Sequence, residues 1–272
     1  MSALTRSPYR PWAYSPWPFF LLTYLFSWTC FGIVLALRQP VSFTPPSPAL
    51  LLSVLGDFGP FVAATLLTTL ASGRQGLRAL LVQLKPARLP LPVVLVSALS
   101  VPLLVTAANL LSLASGGAAP RHWLHANTGT LVLLFAFVLF GVAEQTGWRG
   151  YAQPRLNARY GPLVTSVVLG VLWATWHLPL FWVTGSGQYG QAFAPYVLEV
   201  VGWSFLMSWV WERGGGRVLP CVLLHFSINV TAVTLGTGAD SAEWRSELWG
   251  VLMVALAWVF RRSPQASLAH RD

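Results

Sequence analysis

The chain has 272 residues, of which 55% are hydrophobic and only 9% are charged, and its mean hydropathy is +0.60. Soluble domains carry roughly 25% charged residues, so this composition excludes an ordinary water-soluble domain and predicts a polytopic membrane protein. The net charge of +9 would be compatible with nucleic-acid binding if the basic residues were clustered. The two cysteines lie in apolar runs, so the sequence indicates neither a disulfide framework nor a cysteine metal site.

Apolar runs of about 17–25 residues, long enough to span a bilayer, recur along the whole chain. We therefore predict an all-α fold, a polytopic membrane bundle of about eight transmembrane helices. The predicted spans are 17–37, 49–71, 92–115, 130–147, 162–182, 195–212, 218–236 and 247–260. Residues 1–16 are interpreted as a disordered N-terminal segment, 17–260 as a single transmembrane domain, and 261–272 as a tail.

The basic residues divide unevenly between the two sides of this predicted bundle. If the spans alternate from the N-terminus, 14 of the 17 lysines and arginines fall on the N-terminal side, including Arg149, Arg155 and Arg159 between the fourth and fifth spans. Only Arg38, Arg121 and Arg245 fall on the other side. Cytoplasmic loops carry such an excess, so both termini are predicted to be cytoplasmic. The basic residues then face anionic lipid, not nucleic acid.

Three short polar fragments interrupt successive apolar runs and carry the functional signal. They contribute Glu144, Gln145 and Arg149, then Trp173 and His177, then His225 and Asn229. Residues four apart lie on the same face of a helix. Gln145 and Arg149 have this spacing, and so do the two residues of each other fragment. An ionisable residue inside a membrane costs about a few kcal/mol unless it is paired or hydrated. The fragments therefore predict one polar site inside the bundle.

A carboxylate, two imidazoles and a carboxamide are a workable set for hydrolysis. Glu144 can take a proton from water, one histidine can orient that water, and the second histidine and Asn229 can donate hydrogen bonds to an oxyanion. Glu144, His177 and His225 could instead hold Zn²⁺ with an open water position. The two histidines do not form an HExxH arrangement, so a metal is not dictated. Interhelical hydrogen bonding, or haem ligation by the two histidines, would explain some of the same residues.

The three fragments resemble the CPBP family, which includes CAAX prenyl protease 2 (Rce1-like) and Abi proteins. Its pattern is Glu-Glu-x-x-x-Arg, Phe-x-x-x-His and His-x-x-x-Asn, and the resemblance covers about 130–236. It implies an intramembrane endopeptidase that cleaves a peptide or membrane-protein substrate near its C-terminus or beside the membrane. It also implies that Glu144 and His177 activate water and that His225 and Asn229 hold the oxyanion, with Gln145, Arg149 and Trp173 in support. We expect an integral protein of a bacterial cytoplasmic membrane.

The chain departs from the family pattern at Gln145, where a second Glu is usual, and at Trp173, where Phe is usual. Glutamine keeps hydrogen-bonding capacity but cannot act as a base or carry charge. A second hypothesis is therefore a non-catalytic membrane scaffold that binds a partner protein on the same fold. Family members are described both as metalloproteases and as metal-free glutamate-type proteases. Zn²⁺ and a metal-free mechanism thus remain alternatives.

Overall fold

The computed structural model describes residues 15–43, 45–86, 88–126, 128–238 and 241–262, and the elements within these ranges are helical apart from isolated bridges. The α-helices are α1 (Trp17–Leu37), α2 (Pro48–Asp57), α3 (Gly59–Val82), α4 (Leu91–Ala114), α5 (Thr128–Gln145), α6 (Gln153–Trp176), α7 (Phe193–Arg213), α8 (Leu219–Thr234) and α9 (Ser241–Arg262). A π-helical segment (Thr146–Ala152) joins α5 to α6, and a 3₁₀ turn (Leu178–Trp182) follows α6. Most of the two predicted tails, 1–14 and 263–272, lies outside the described residues.

Each predicted apolar run coincides with helix, which confirms a polytopic helical membrane fold. Four described stretches are long and apolar enough to cross a membrane, namely Trp17–Leu37, Leu91–Ala114, Leu133–Trp182 and Phe193–Arg213. The bent pair α2 and α3 makes five if it counts as one span. The fourth and fifth predicted spans join in one 50-residue helical stretch, the seventh is the shorter helix α8, and the eighth lies in α9.

The junction between α5 and α6 is a buried π-helical turn, where the sequence predicts a cytoplasmic loop. Pro154 follows within α6, and a proline ring clashes with the carbonyl four residues earlier, here that of Gly150. The regular α-helical register therefore cannot run through this junction, and the wider π turn relieves the clash. Every residue from Thr146 to Ala152 is buried.

This burial corrects one part of the sequence prediction. The charge pattern counts Arg149 among the basic residues of a cytoplasmic loop, but its side chain is 0% exposed and lies inside the bundle. Its apolar neighbours Trp148, Tyr151 and Ala152 are buried with it. Arg149 therefore contributes to the site and not to the loop charges, which leaves 13 basic residues on the predicted cytoplasmic side.

Helix α6 contains the reversal that brings distant motif residues together. Gly161 has φ 74° and ψ 168°, a non-helical backbone in the left-handed region, and Pro162 follows it. Trp173 hydrogen-bonds to Glu144, 29 residues earlier, whereas a straight helix would separate the two by about 43 Å. The chain therefore turns back within this stretch, and the Gly161–Pro162 step is the break inside α6.

The chain reversal at Gly161 and Pro162 forms a helical hairpin. Small residues let the neighbouring helices pack closely against this hairpin. Helix α6 packs on α7, α8 packs on both α4 and α5, and the π segment packs on α3. At Gly147 a Cβ would lie 2.5 Å from the carbonyl oxygen of Pro60, and at Gly170 it would lie 2.6 Å from the Cα of Val201. Small residues that let backbones approach this closely are typical of helix contacts in membranes.

Candidate active site

The predicted site residues are presented by four adjoining elements. Glu144 and Gln145 are the last two residues of α5, and Arg149 lies in the π segment. Trp173 is in the last turn of α6, and His177 caps its C-terminus. His225 lies in the second turn of α8, with Asn229 one turn further on. The hairpin at Gly161 and the packing of α5 on α8 bring these elements to one region of the bundle.

Glu144 is held between an indole and an imidazole. Its side chain belongs to a residue only 4% exposed. The Nε1–H of Trp173 donates a hydrogen bond of 2.7 Å to Oε2 of Glu144. The other oxygen, Oε1, lies 3.8 Å from Nε2 of His225. One carboxylate oxygen is thus fixed by a donor, while the other faces His225 at a distance longer than a hydrogen bond.

Trp173 is the common neighbour of the carboxylate and both histidines. Its ring meets that of His225 edge-on at a centroid distance of 5.5 Å, and that of His177 at 6.0 Å. A phenylalanine, usual at this position in the resembling family, would supply the ring but not the N–H. The tryptophan of this chain therefore adds a donor that fixes the orientation of Glu144.

The imidazole of His177 is anchored by its own helix. Nδ1 lies 2.8 Å from the backbone oxygen of Trp173, and a carbonyl can only accept, so Nδ1 carries the proton. In the neutral ring Nε2 is then an acceptor. The ring packs edge-on against Trp176 at 4.6 Å and Tyr196 at 5.7 Å between centroids.

A buried chain of hydrogen bonds runs from His225 to Arg149 through Gln145. Nε2 of Gln145 lies 3.0 Å from Nδ1 of His225, and its Oε1 accepts from Nε of Arg149 at 3.3 Å. Arg149 also donates from Nη1 to Oε1 of Gln153 at 3.1 Å and from both Nη atoms to Oγ of Ser204 at 3.2–3.3 Å. This network fixes Gln145 on both sides.

Gln153 and Ser204 are members of this network that the sequence reasoning missed. Gln153 lies four residues after Arg149, and that spacing could have found it. Ser204 lies on α7, 55 residues away, and no spacing rule connects it to Arg149. Both side chains belong to fully buried residues.

The structure leaves Asn229 less engaged than the other predicted site residues. It is half-buried on α8, one turn beyond His225, and its side chain makes no hydrogen bond within the described part of the chain. Its position on the same helix is compatible with a site role, which stays a prediction.

The predicted Zn²⁺ ligands are not gathered into a ligand set. Among the described residues, no group of three or more His, Cys, Asp or Glu side chains could hold a metal ion. Oε1 of Glu144 and Nε2 of His177 are each free of the hydrogen bonds to Trp173, but the candidate ligands do not converge on one point. Because this arrangement does not fit a tetrahedral Zn²⁺ site, we derive no step through a metal.

The fold and the buried Glu–His cluster define the class: a polytopic helical membrane protein with a polar cluster buried inside its bundle. Residues 126–231 match the family model described as type II CAAX prenyl endopeptidase Rce1-like. The chain is also 25% identical over 206 residues to CAAX prenyl protease 2 of Methanococcus maripaludis, covering 71% of this chain and 75% of that protein. These matches confirm the predicted resemblance to Rce1-like CPBP proteases and support a membrane protease.

Proposed function

We propose that this chain is an intramembrane endopeptidase that hydrolyses a peptide bond near the C-terminus or in the membrane-proximal part of its substrate. The observation that carries the proposal is the buried arrangement of Glu144, His225 and Trp173, within a segment that matches the Rce1-like model. A buried carboxylate beside one imidazole, with a second imidazole packed on the same tryptophan, has no evident use in a purely apolar bundle. It does suit the activation of water.

In the proposed reaction, Glu144 and His177 act on the attacking water. Oε1 of Glu144 is the carboxylate oxygen that Trp173 does not bind, and Nε2 of His177 is the nitrogen that the helix backbone does not bind. Each can accept a proton as the water oxygen bonds to the scissile carbonyl carbon. The same proton then passes to the leaving amine as the carbon–nitrogen bond breaks.

His225 and Asn229 are proposed to stabilise the oxyanion of the tetrahedral intermediate. They lie one turn apart on α8, so their side chains can approach one carbonyl oxygen from the same helix. The side chain of Asn229 makes no hydrogen bond with the other described residues, which leaves its amide available to a substrate. Loss of one oxyanion donor typically costs about 10²–10³-fold in kcat.

The experiment is cleavage of a C-terminal peptide library, prenylated and unprenylated, by purified wild type beside Glu144→Ala. We expect wild type to release short C-terminal fragments, identified by mass spectrometry, and Glu144→Ala to release none. No cleavage by folded wild type of any peptide would contradict the proposal. Adding a chelator and then Zn²⁺ separates a metalloprotease from a glutamate-type enzyme, since only the former loses and regains activity.

Gln145 favours a second candidate function, a non-catalytic scaffold that binds another membrane protein. The family pattern has a second carboxylate at this position, and Gln145 cannot supply its charge or basicity. On this reading wild type would lack hydrolytic activity, and Glu144→Gln would leave partner binding intact.

We also propose that the protein resides in a bacterial cytoplasmic membrane with both termini cytoplasmic. The support is the excess of basic residues in the loops on one side of the predicted spans. Its partners are then membrane lipid and a peptide or membrane-protein substrate, with no nucleic acid.

A further inference from the structure

Gln145 links His225 to Arg149 in the buried hydrogen-bond network, so it is placed to determine which ring nitrogen of His225 carries the proton. Its side chain is fully buried, with the imidazole on one side and the guanidinium of Arg149 on the other. A carboxamide has one accepting end and one donating end. Which end faces His225 therefore decides which ring nitrogen carries the proton.

Arg149 settles the direction of the amide. A guanidinium has only donors, so Oε1 of Gln145 must face Nε of Arg149, at 3.3 Å. The amide N–H then points at Nδ1 of His225, at 3.0 Å. Because Nδ1 accepts this bond, the proton of the neutral ring lies on Nε2.

The other side of the imidazole favours the same tautomer when Glu144 is ionised, as its proposed role as a base requires. Nε2 of His225 lies 3.8 Å from Oε1 of Glu144. An N–H directed at a carboxylate oxygen is attractive, whereas a nitrogen lone pair directed at it is repulsive.

The amide cannot easily reverse, because Arg149 is itself held. Its donors reach Gln153 on the next helix and Ser204 on α7. A flipped amide would place an NH₂ group against the arginine Nε–H and leave buried donors without acceptors, which is unfavourable because each loses its hydration without gaining a partner.

We propose that Gln145 is a positioning residue that holds His225 as the Nε2–H tautomer. His225 is thereby a hydrogen-bond donor toward Glu144 and the reacting oxyanion and not a base, the reverse of His177, whose Nδ1 is protonated. This inference rests on the proposed function for its catalytic meaning. A glutamate at position 145 would accept from Nδ1–H and so favour the opposite tautomer or the doubly protonated ring.

The test is ¹⁵N NMR of histidine-labelled protein in detergent, without substrate. The signals of His225 are those lost in His225→Asn. In wild type we expect a non-protonated Nδ1 and a protonated Nε2 for His225. In Gln145→Glu we expect Nδ1 of His225 to become protonated.

Gln153→Glu is the matched control. It places the same negative charge on the same arginine, and Gln153 bonds to Arg149 while the described hydrogen-bond partner of His225 is Gln145, so the His225 signals should stay as in wild type. A protonated Nδ1 in neutral wild-type His225 would overturn the proposal, and so would an equal change in both glutamate variants. The wild-type spectrum decides even if Gln145→Glu fails to fold.

The spectrum and peptide cleavage separate the two proposals. If the tautomers are as expected but wild type cleaves no peptide, the role of Gln145 stands and the endopeptidase proposal fails. If wild type cleaves but Nδ1 of His225 is protonated, the endopeptidase proposal stands and the role of Gln145 fails.

Discussion

Arg149 is a fully buried cation whose side-chain acceptors in the described structure are neutral: two amide oxygens and a hydroxyl. Each of the three guanidinium nitrogens donates to at least one of these acceptors, so the acceptors match the planar, forked arrangement of guanidinium donors. A lysine ammonium is a compact charge that cannot reproduce this fork. The residue therefore joins the π segment to α7 as well as orienting Gln145.

We predict that Arg149→Lys destabilises the protein by about 2–3 kcal/mol, the scale of one hydrogen bond to a charged group. The measurement is thermal unfolding in detergent, followed by tryptophan fluorescence. Arg159→Lys makes the same change at an exposed position on α6 and should unfold as wild type does. Equal midpoints for Arg149→Lys and Arg159→Lys would show that the fork geometry does not matter.

At the scale of elements, the contact between the π segment and the start of α3 holds the site against the first half of the bundle. Gly147 meets the backbone of Pro60 so closely that a Cβ would lie 2.5 Å from its oxygen and 2.6 Å from its Cβ. Backbone cannot yield as a flexible side chain can, so only glycine fits without moving one element.

Gly147→Ala is therefore expected to lower stability by about 1–3 kcal/mol, the usual cost of overpacking. Gly32→Ala on α1 is the control, because its position is exposed and no atom lies within 4 Å of an added Cβ. The same unfolding assay should give a lower midpoint for Gly147→Ala only. An unchanged midpoint would contradict the close packing described for this junction.

The elements that could be predicted from the sequence are the long apolar helices, because a bilayer restricts the structures that can cross it. Long apolar runs must be helical in lipid, so the presence and order of the long helices followed from hydropathy, although their bounds did not. The i, i+4 spacing likewise predicted the link from Gln145 to Arg149. The π turn could not be predicted, because the polar stretch containing Arg149 has the composition of a loop. The contact with Ser204 depends on tertiary packing that carries no local signal.

At the scale of the whole molecule, the distribution of charge predicts orientation. Because Arg149 is buried, it no longer counts among the basic residues of the predicted cytoplasmic loops. The excess of basic residues on that side remains, since only Arg38, Arg121 and Arg245 lie on the predicted outer side. We expect a cysteine at Gly187 to react with an impermeant reagent added outside and a cysteine at Arg213 to be protected. Both positions are exposed.

The background for this labelling is a variant that lacks Cys30 and Cys221, both buried and unpaired. Gly187 has open space around an added Cβ, so the substitution should not disturb folding. Labelling at Arg213 but not at Gly187 would mean that the orientation is inverted.

The most direct test of the central claim is the rate of peptide hydrolysis by Glu144→Gln, which keeps the shape of the side chain but removes its basic oxygen. Loss of a general base typically costs 10²–10⁴-fold, so we predict a fall of about that size in kcat/KM with folding retained. Glu247→Gln, the same change at an exposed position on α9, should hydrolyse at the wild-type rate. Wild-type activity in Glu144→Gln would contradict the assignment of Glu144 as the base.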